Sequence, residues 1–184
     1  MAITKVTGAM LGNYVGGSAD DTVVVGDGAG VAITTGVDNT FIGDNAGTAT
    51  TSGGTNVAVG NEALAANTTG ASNASVGASS LDANTTGTSN TAVGANALSA
   101  NTTADNNTAV GRNALLLNTT GTQNTALGSG TVTFNTTADN NTGVGFNALN
   151  ANTTGSQNTA VGAASLDANT TGSNNSAFGR EALT

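Results

Sequence analysis

The chain has no cysteine, proline, histidine or tryptophan, and only three basic residues. Each absence excludes something. Without cysteine there is no disulfide framework and no thiolate metal site, and the redox compartment stays open. Without histidine, and with Lys5 as the single lysine, the usual general bases and nucleophiles are missing. The expectation is therefore no enzyme activity, no catalytic residues and no cofactor or metal. The three cations, Lys5, Arg112 and Arg180, form no stripe. Phosphate neutralisation along a nucleic acid is excluded, as is attraction to anionic lipid. No stretch reaches the ~18 apolar residues of a membrane helix, and the first residues lack the continuous apolar run of a secretory signal. No membrane insertion is expected. Charged residues are 8% of the chain and aromatics 3%, against a usual charged share of about 25%.

The scarcity of bulk resembles disorder, yet disorder brings high net charge and Pro, Lys or Glu enrichment. This chain carries Asn, Thr, Gly and Ala instead, and they recur. Gly26, Gly43, Gly60, Gly77, Gly94, Gly111, Gly128, Gly145, Gly162 and Gly179 stand 17 residues apart without a slip. A fixed period is the mark of a repeat architecture, in which each unit buries its apolar side only by stacking on the next. The formal charge of −8 reads as solubility and repulsion between rods.

Four columns can be read off the period. One residue before each Gly stands an apolar side chain, among them Val59, Val76, Val93, Val110, Val144 and Val161. Four after it stands a second, including Leu64, Leu81, Leu98, Leu115, Leu149 and Leu166. Asn fills the slot four before Gly at Asn56, Asn73, Asn90, Asn107, Asn124, Asn141, Asn158 and Asn175, and another slot seven after Gly from Asn67 to Asn169. A unit of this size leaves no room for a helix pair, and Asn-Thr-Thr-Gly is turn chemistry. Thr-Ala-Val alternates in the manner of a strand. The pattern predicts an all-β, parallel β-solenoid (a β-roll) with one coil per 17 residues, each coil made of two short strands and two turns. At ~4.8 Å per coil, ten coils make a rod of about 48 Å. Stacked Asn passes amide hydrogen bonds from coil to coil. Residues 22–184 form this shaft; residues 1–21 depart from the repeat and read as a cap or attachment segment, rich in larger apolar groups such as Ile3, Val6, Met10 and Leu11. The last coil is expected to be an unfinished end.

Two large aliphatics per unit are one more than a narrow coil can enclose. Either the Val column or the Leu column fills the inside, and the other makes an exposed stripe of the kind that marks interfaces. The partner this predicts is a further copy of the chain, with a trimer about a shared axis favoured. Other virion or filament subunits are possible additional partners.

Other chemistry is thin. Asp105 and Asp139 occupy equivalent slots two repeats apart, about 10 Å along the rod, which suits decoration better than a carboxylate pair. Asp20-Asp21, Asp105-Asn106-Asn107 and Asp139-Asn140-Asn141 offer oxygen ligands for calcium, but without an EF-hand loop they read as turn formers. The Asn-Thr-Thr runs match a glycosylation sequon and read as turns as well. The Thr68–Thr170 column raises ice binding, which needs two columns outward on a flat strand. Adjacent Thr-Thr at a turn does not supply them.

The run Asn90-Thr91-Ala92-Val93-Gly94-Ala95-Asn96-Ala97-Leu98-Ser99-Ala100-Asn101 resembles the Asn-Thr-Ala-Val-Gly repeats of bacteriophage tail fibres. It is also similar to the head repeats of trimeric autotransporter adhesins. The resemblance covers residues 22–184 and implies a homotrimeric, left-handed parallel β-roll. Residues 2–7 are similar to the opening of some marine phage tail proteins. Adhesin heads use shorter repeats, and no signal peptide, coiled-coil stalk or anchor is read here, so a virion component is the expectation. The implied function is a structural, self-assembling fibre shaft in a tail fibre or an extracellular surface appendage. Alternatives are a surface filament subunit stacking end to end, or an ice- or glycan-binding solenoid.

Overall fold

The computed structural model of the chain describes residues 21–184; the expected cap over residues 1–21 lies, apart from Asp21, outside them. Ten strands of three residues follow one another from β1 (Val23–Val25) to β10 (Ser176–Phe178), in a single sheet whose spatial order is the order of the sequence. Each pairs in parallel with the next at a shift of one repeat. Thr91, Ala92 and Val93 of β5 (Thr91–Val93) lie beside Thr108, Ala109 and Val110 of β6 (Thr108–Val110). The protein is an all-β solenoid with one coil per Gly period.

Each coil holds one strand, not the two expected. Thr-Ala-Val forms it because β-branched residues suit the extended backbone and a small residue between them fits a crowded interior. The rest of the coil is held by turns. Ala97 N–H donates to Gly94 O at 3.2 Å, and Asn101 N–H donates to Leu98 O at 3.1 Å. Between them the backbone alternates in hand, with Asn96 at φ 57° and Leu98 at φ 52°. That alternation keeps the chain crossing the rod instead of winding into a helix. It also aims the peptide groups along the rod: Asn96 N–H reaches back to Ala78 O at 3.0 Å, and Leu98 N–H forward to Ala114 O at 3.0 Å.

A left-handed leucine costs roughly 1–2 kcal/mol. Full burial of a leucine side chain contributes about 1.5–3 kcal/mol. The conformation is sustained only if the side chain is entirely inside, and Leu64, Leu81, Leu98, Leu115 and Leu149 are all 0% exposed. The coils of Leu64, Leu98 and Leu115 each enclose one Leu, two Ala and two Asn, as Leu98, Ala92, Ala97, Asn90 and Asn101 show; other coils put Ser75 and Ser80, or Thr131 and Val132, in the same slots.

The glycine column has a steric cause as well as a conformational one. Gly111 has φ 132°, and a Cβ there would lie 2.5 Å from the Gly128 carbonyl of the next coil. Gly179 has φ 116° but nothing within 4 Å of such a Cβ. Gly179→Ala is therefore expected to show backbone strain alone, about 1–3 kcal/mol, and Gly111→Ala a larger loss. Denaturant midpoints would check this; equal losses would mean that the neighbouring carbonyl plays no part.

Candidate functional site

The interior is built around two amide ladders. In the first, the column from Asn56 to Asn175, each Oδ1 from Asn56 to Asn158 accepts the backbone N–H of the Asn one coil on; Asn90 Oδ1 and Asn107 N are 2.9 Å apart. Each Nδ2 from Asn56 to Asn158 donates to a carbonyl across the coil, as Asn90 does to Ala104 O at 2.7 Å. In the second column, Asn101 Nδ2 donates to Asn84 Oδ1 at 2.9 Å and to the same Ala104 carbonyl at 3.1 Å. One inward-turned carbonyl per coil therefore takes amide protons from both columns. Gly70, Gly87, Gly121, Ala138, Gly155 and Gly172 repeat the arrangement. Both columns are 0–1% exposed through most of the rod, where an unmade hydrogen bond is expensive. Amide bonds along the Asn columns were read from the sequence; the shared carbonyl and the burial of the second column, read as turn chemistry, were not. The signal of that burial was present, since turn chemistry alone would let Asn alternate with Asp or Ser, and the slot never varies from Asn67 to Asn169.

Burial in this ladder places the sequon asparagines Asn67, Asn84, Asn101, Asn118, Asn135 and Asn152 out of reach of solvent. The threonines after them are occupied too. Thr85 Oγ1 donates to Thr102 O at 3.0 Å, a carbonyl that also accepts the N–H of Thr85 and of Thr86. Asp105 and Asp139 have a similar local duty: Asp105 Oδ1 accepts Thr88 N–H at 2.6 Å and Thr88 Oγ1 at 3.0 Å, and Asp139 serves Thr122 in the same way. They are not drawn together. Among the described residues no group of three or more acidic or other metal-ligating side chains converges, and no helix is long and apolar enough to cross a membrane. A hollow over the last coil is lined by Leu166, Asn169, Asn175 and Leu183, members of the columns that stack on one another elsewhere.

The sequence left open which apolar column is enclosed. The Leu column is enclosed, and the Val column faces out. Because the middle residue of each strand points inward, its two neighbours point the other way. Ala92 is 0% exposed while Val93 is 38% exposed. Val76 has the same exposure, Leu127 has 46% and Phe178 has 70%. The strand face thus carries two outward rows in register. One is aliphatic or aromatic in every coil. The other holds Thr91, Thr108, Thr125, Thr142 and Thr159 in five consecutive coils. Unlike the Thr85 row, these hydroxyls have no protein hydrogen-bond partner among the described residues. None of the twenty outward strand positions is charged. No protein-family model, no curated protein and no solved structure matches the chain.

Proposed function

We propose that this protein is a structural shaft: a self-assembling, homotrimeric rod that spaces other parts of a phage tail fibre or an adhesin-like surface appendage. The observation that carries this reading is the continuity of lengthwise bonding. Backbone hydrogen bonds join the described coils one to the next, and two amide ladders run through most of them, from Asn39 and from Asn67 onward; among the described residues no group of three or more metal-ligating side chains converges. Nearest-neighbour stacking of this kind sets length by coil number and leaves the sides free for lateral association. Antibodies raised against the purified rod, applied to particles and cells of the source, are expected to decorate the shafts of thin projections. Purified protein imaged in negative stain should be short rods of uniform length. Long threads would transfer the assignment to an end-to-end filament, and label confined to the cell interior would end it.

A further inference from the structure

We infer that the strand face is the seam of the shaft, that its occupant is two further copies of the same chain, and that the Val93 row is the dry centre of the contact and the Thr91 row its wet rim. This rests on the reading of the protein as a shaft.

Charge is the first argument. The chain carries 11 acidic and 3 basic residues, so copies repel one another at long range. Close approach is least opposed where neither surface brings a charge, and the strand face is such a surface along its whole length. Its neighbours differ. The residues that follow each Gly include Asp27, Asp44, Arg112 and Arg180, and the turn beyond the second Asn column includes Asp38, Asp105 and Asp139.

What varies along the face is the second argument. The outer apolar row changes shape freely between Val, Ile42, Leu127 and Phe178 but never becomes polar. The other row moves among Thr, Ser176, Ala74, Val23 and Val57. A surface matched to an ordered water lattice would hold its shape and tolerate less bulk. A protein contact repacks around such changes, provided that the row stays apolar. Interfaces place their apolar residues at the centre and their polar ones at a solvated rim. The Val93 row, and not the row of unpartnered hydroxyls, therefore belongs in the middle.

Area bears on the number. Ten strands at ~4.8 Å, each three residues of ~3.3 Å wide, make about 480 Å² of flat face. A standard interface takes about 800 Å² from each partner. A pair closed over this face alone falls short. The count of two further copies is that of the homotrimeric shaft proposed above: three copies about an axis parallel to the rods turn each face toward two neighbours, with the uncharged Val93 and Thr91 rows at the contact.

The test is the mass in solution, followed by cross-linking. Light scattering at micromolar concentration is expected to give three chains. A Val110→Glu, Val144→Glu variant should fall threefold in mass while keeping its far-UV spectrum, because neither side chain fills the coil. Since the chain has no cysteine, single-cysteine variants give a second readout that does not depend on the glutamate variant folding. Oxidised Val110→Cys should yield covalent pairs, and Thr103→Cys, on the polar side, should yield none. Cross-links at Thr103→Cys in place of Val110→Cys, in a protein that is still a rod-shaped oligomer, would overturn the seam and leave the shaft reading standing. A folded one-chain rod would overturn the seam, and if it also slowed ice growth the face would belong to ordered water. Particles that are not rods would overturn the shaft reading itself.

Discussion

Replacing Phe41 with alanine is expected to remove about 3–5 kcal/mol of local stability, the range for truncating a fully buried phenylalanine. Phe41 is 0% exposed and occupies the slot that is Ala92 in β5. Its ring takes the room of leucines that the first two coils lack. Gly30 and Gly47 stand where Leu64 and Leu98 stand further along. A Cβ on Gly47 would come within 2.6 Å of the Phe41 ring, and one on Gly30 within 3.1 Å. One aromatic side chain thus replaces two aliphatic ones. Gly47→Leu alone should destabilise by collision. Joined to Phe41→Ala it should restore much of the loss, because φ 57° at Gly47 is the conformation that Leu64 and Leu98 already adopt. In an array bound by nearest neighbours the damage stays local. The measurement is therefore hydrogen exchange at the amides of β2 (Thr40–Ile42). A double variant no better protected than the sum of the singles would show that the ring and the glycines are not a matched set.

Asn107→Leu should cost about 1–3 kcal/mol for the one buried donor left without an acceptor, plus about 0.5–1.5 kcal/mol for a second hydrogen bond lost. The Gly121 carbonyl keeps Asn118 but loses the Asn107 amide, and the Asn124 N–H loses its Oδ1 acceptor. Asn107→Asp separates the two roles. It retains the acceptor for Asn124 but turns an oxygen toward the Gly121 carbonyl in a dry site, so it should be no milder than leucine. The exposed Thr103→Ala serves as the neutral control. Urea midpoints read the result; a midpoint for Asn107→Leu as high as that of Thr103→Ala would remove the ladder from the account of stability.

Much of this architecture was legible because a repeat compares the chain with itself. The Gly94 column announced the coil, and an uncharged polar slot held at Asn from Asn39 to Asn175 announced interior amides. The sidedness of the two aliphatic columns was not legible. It depends on Ala92 pointing inward, and alanine is equally at home on either side of a strand. Nor did the sequence indicate one strand per coil. The Ala97-Leu98 segment owes its path to left-handed residues at Asn96 and Leu98, and leucine adopts that conformation against its own preference. Only stacking, which buries the side chain completely, makes the choice favourable. The exchange of bulk between Phe41 and Gly47 was out of reach for a related reason: nothing in a column shows which members of other columns it touches.

The lengthwise direction of the coil-to-coil bonds has a mechanical consequence. Bonds such as Thr91 N–H to Asn107 O and Gly111 N–H to Val93 O lie along the line of any pull applied at the rod's ends. Such a pull loads one layer at a time, as in peeling, and does not load all layers together, as in shear. Each coil that opens releases 17 residues, about 60 Å of chain at ~3.5 Å per residue, from a layer ~4.8 Å thick. The next layer then meets the load with a nearly identical set of bonds, so tension levels off while length grows. A rod that is stiff at rest becomes, under strain, a long tether whose tension is capped by the strength of a single layer.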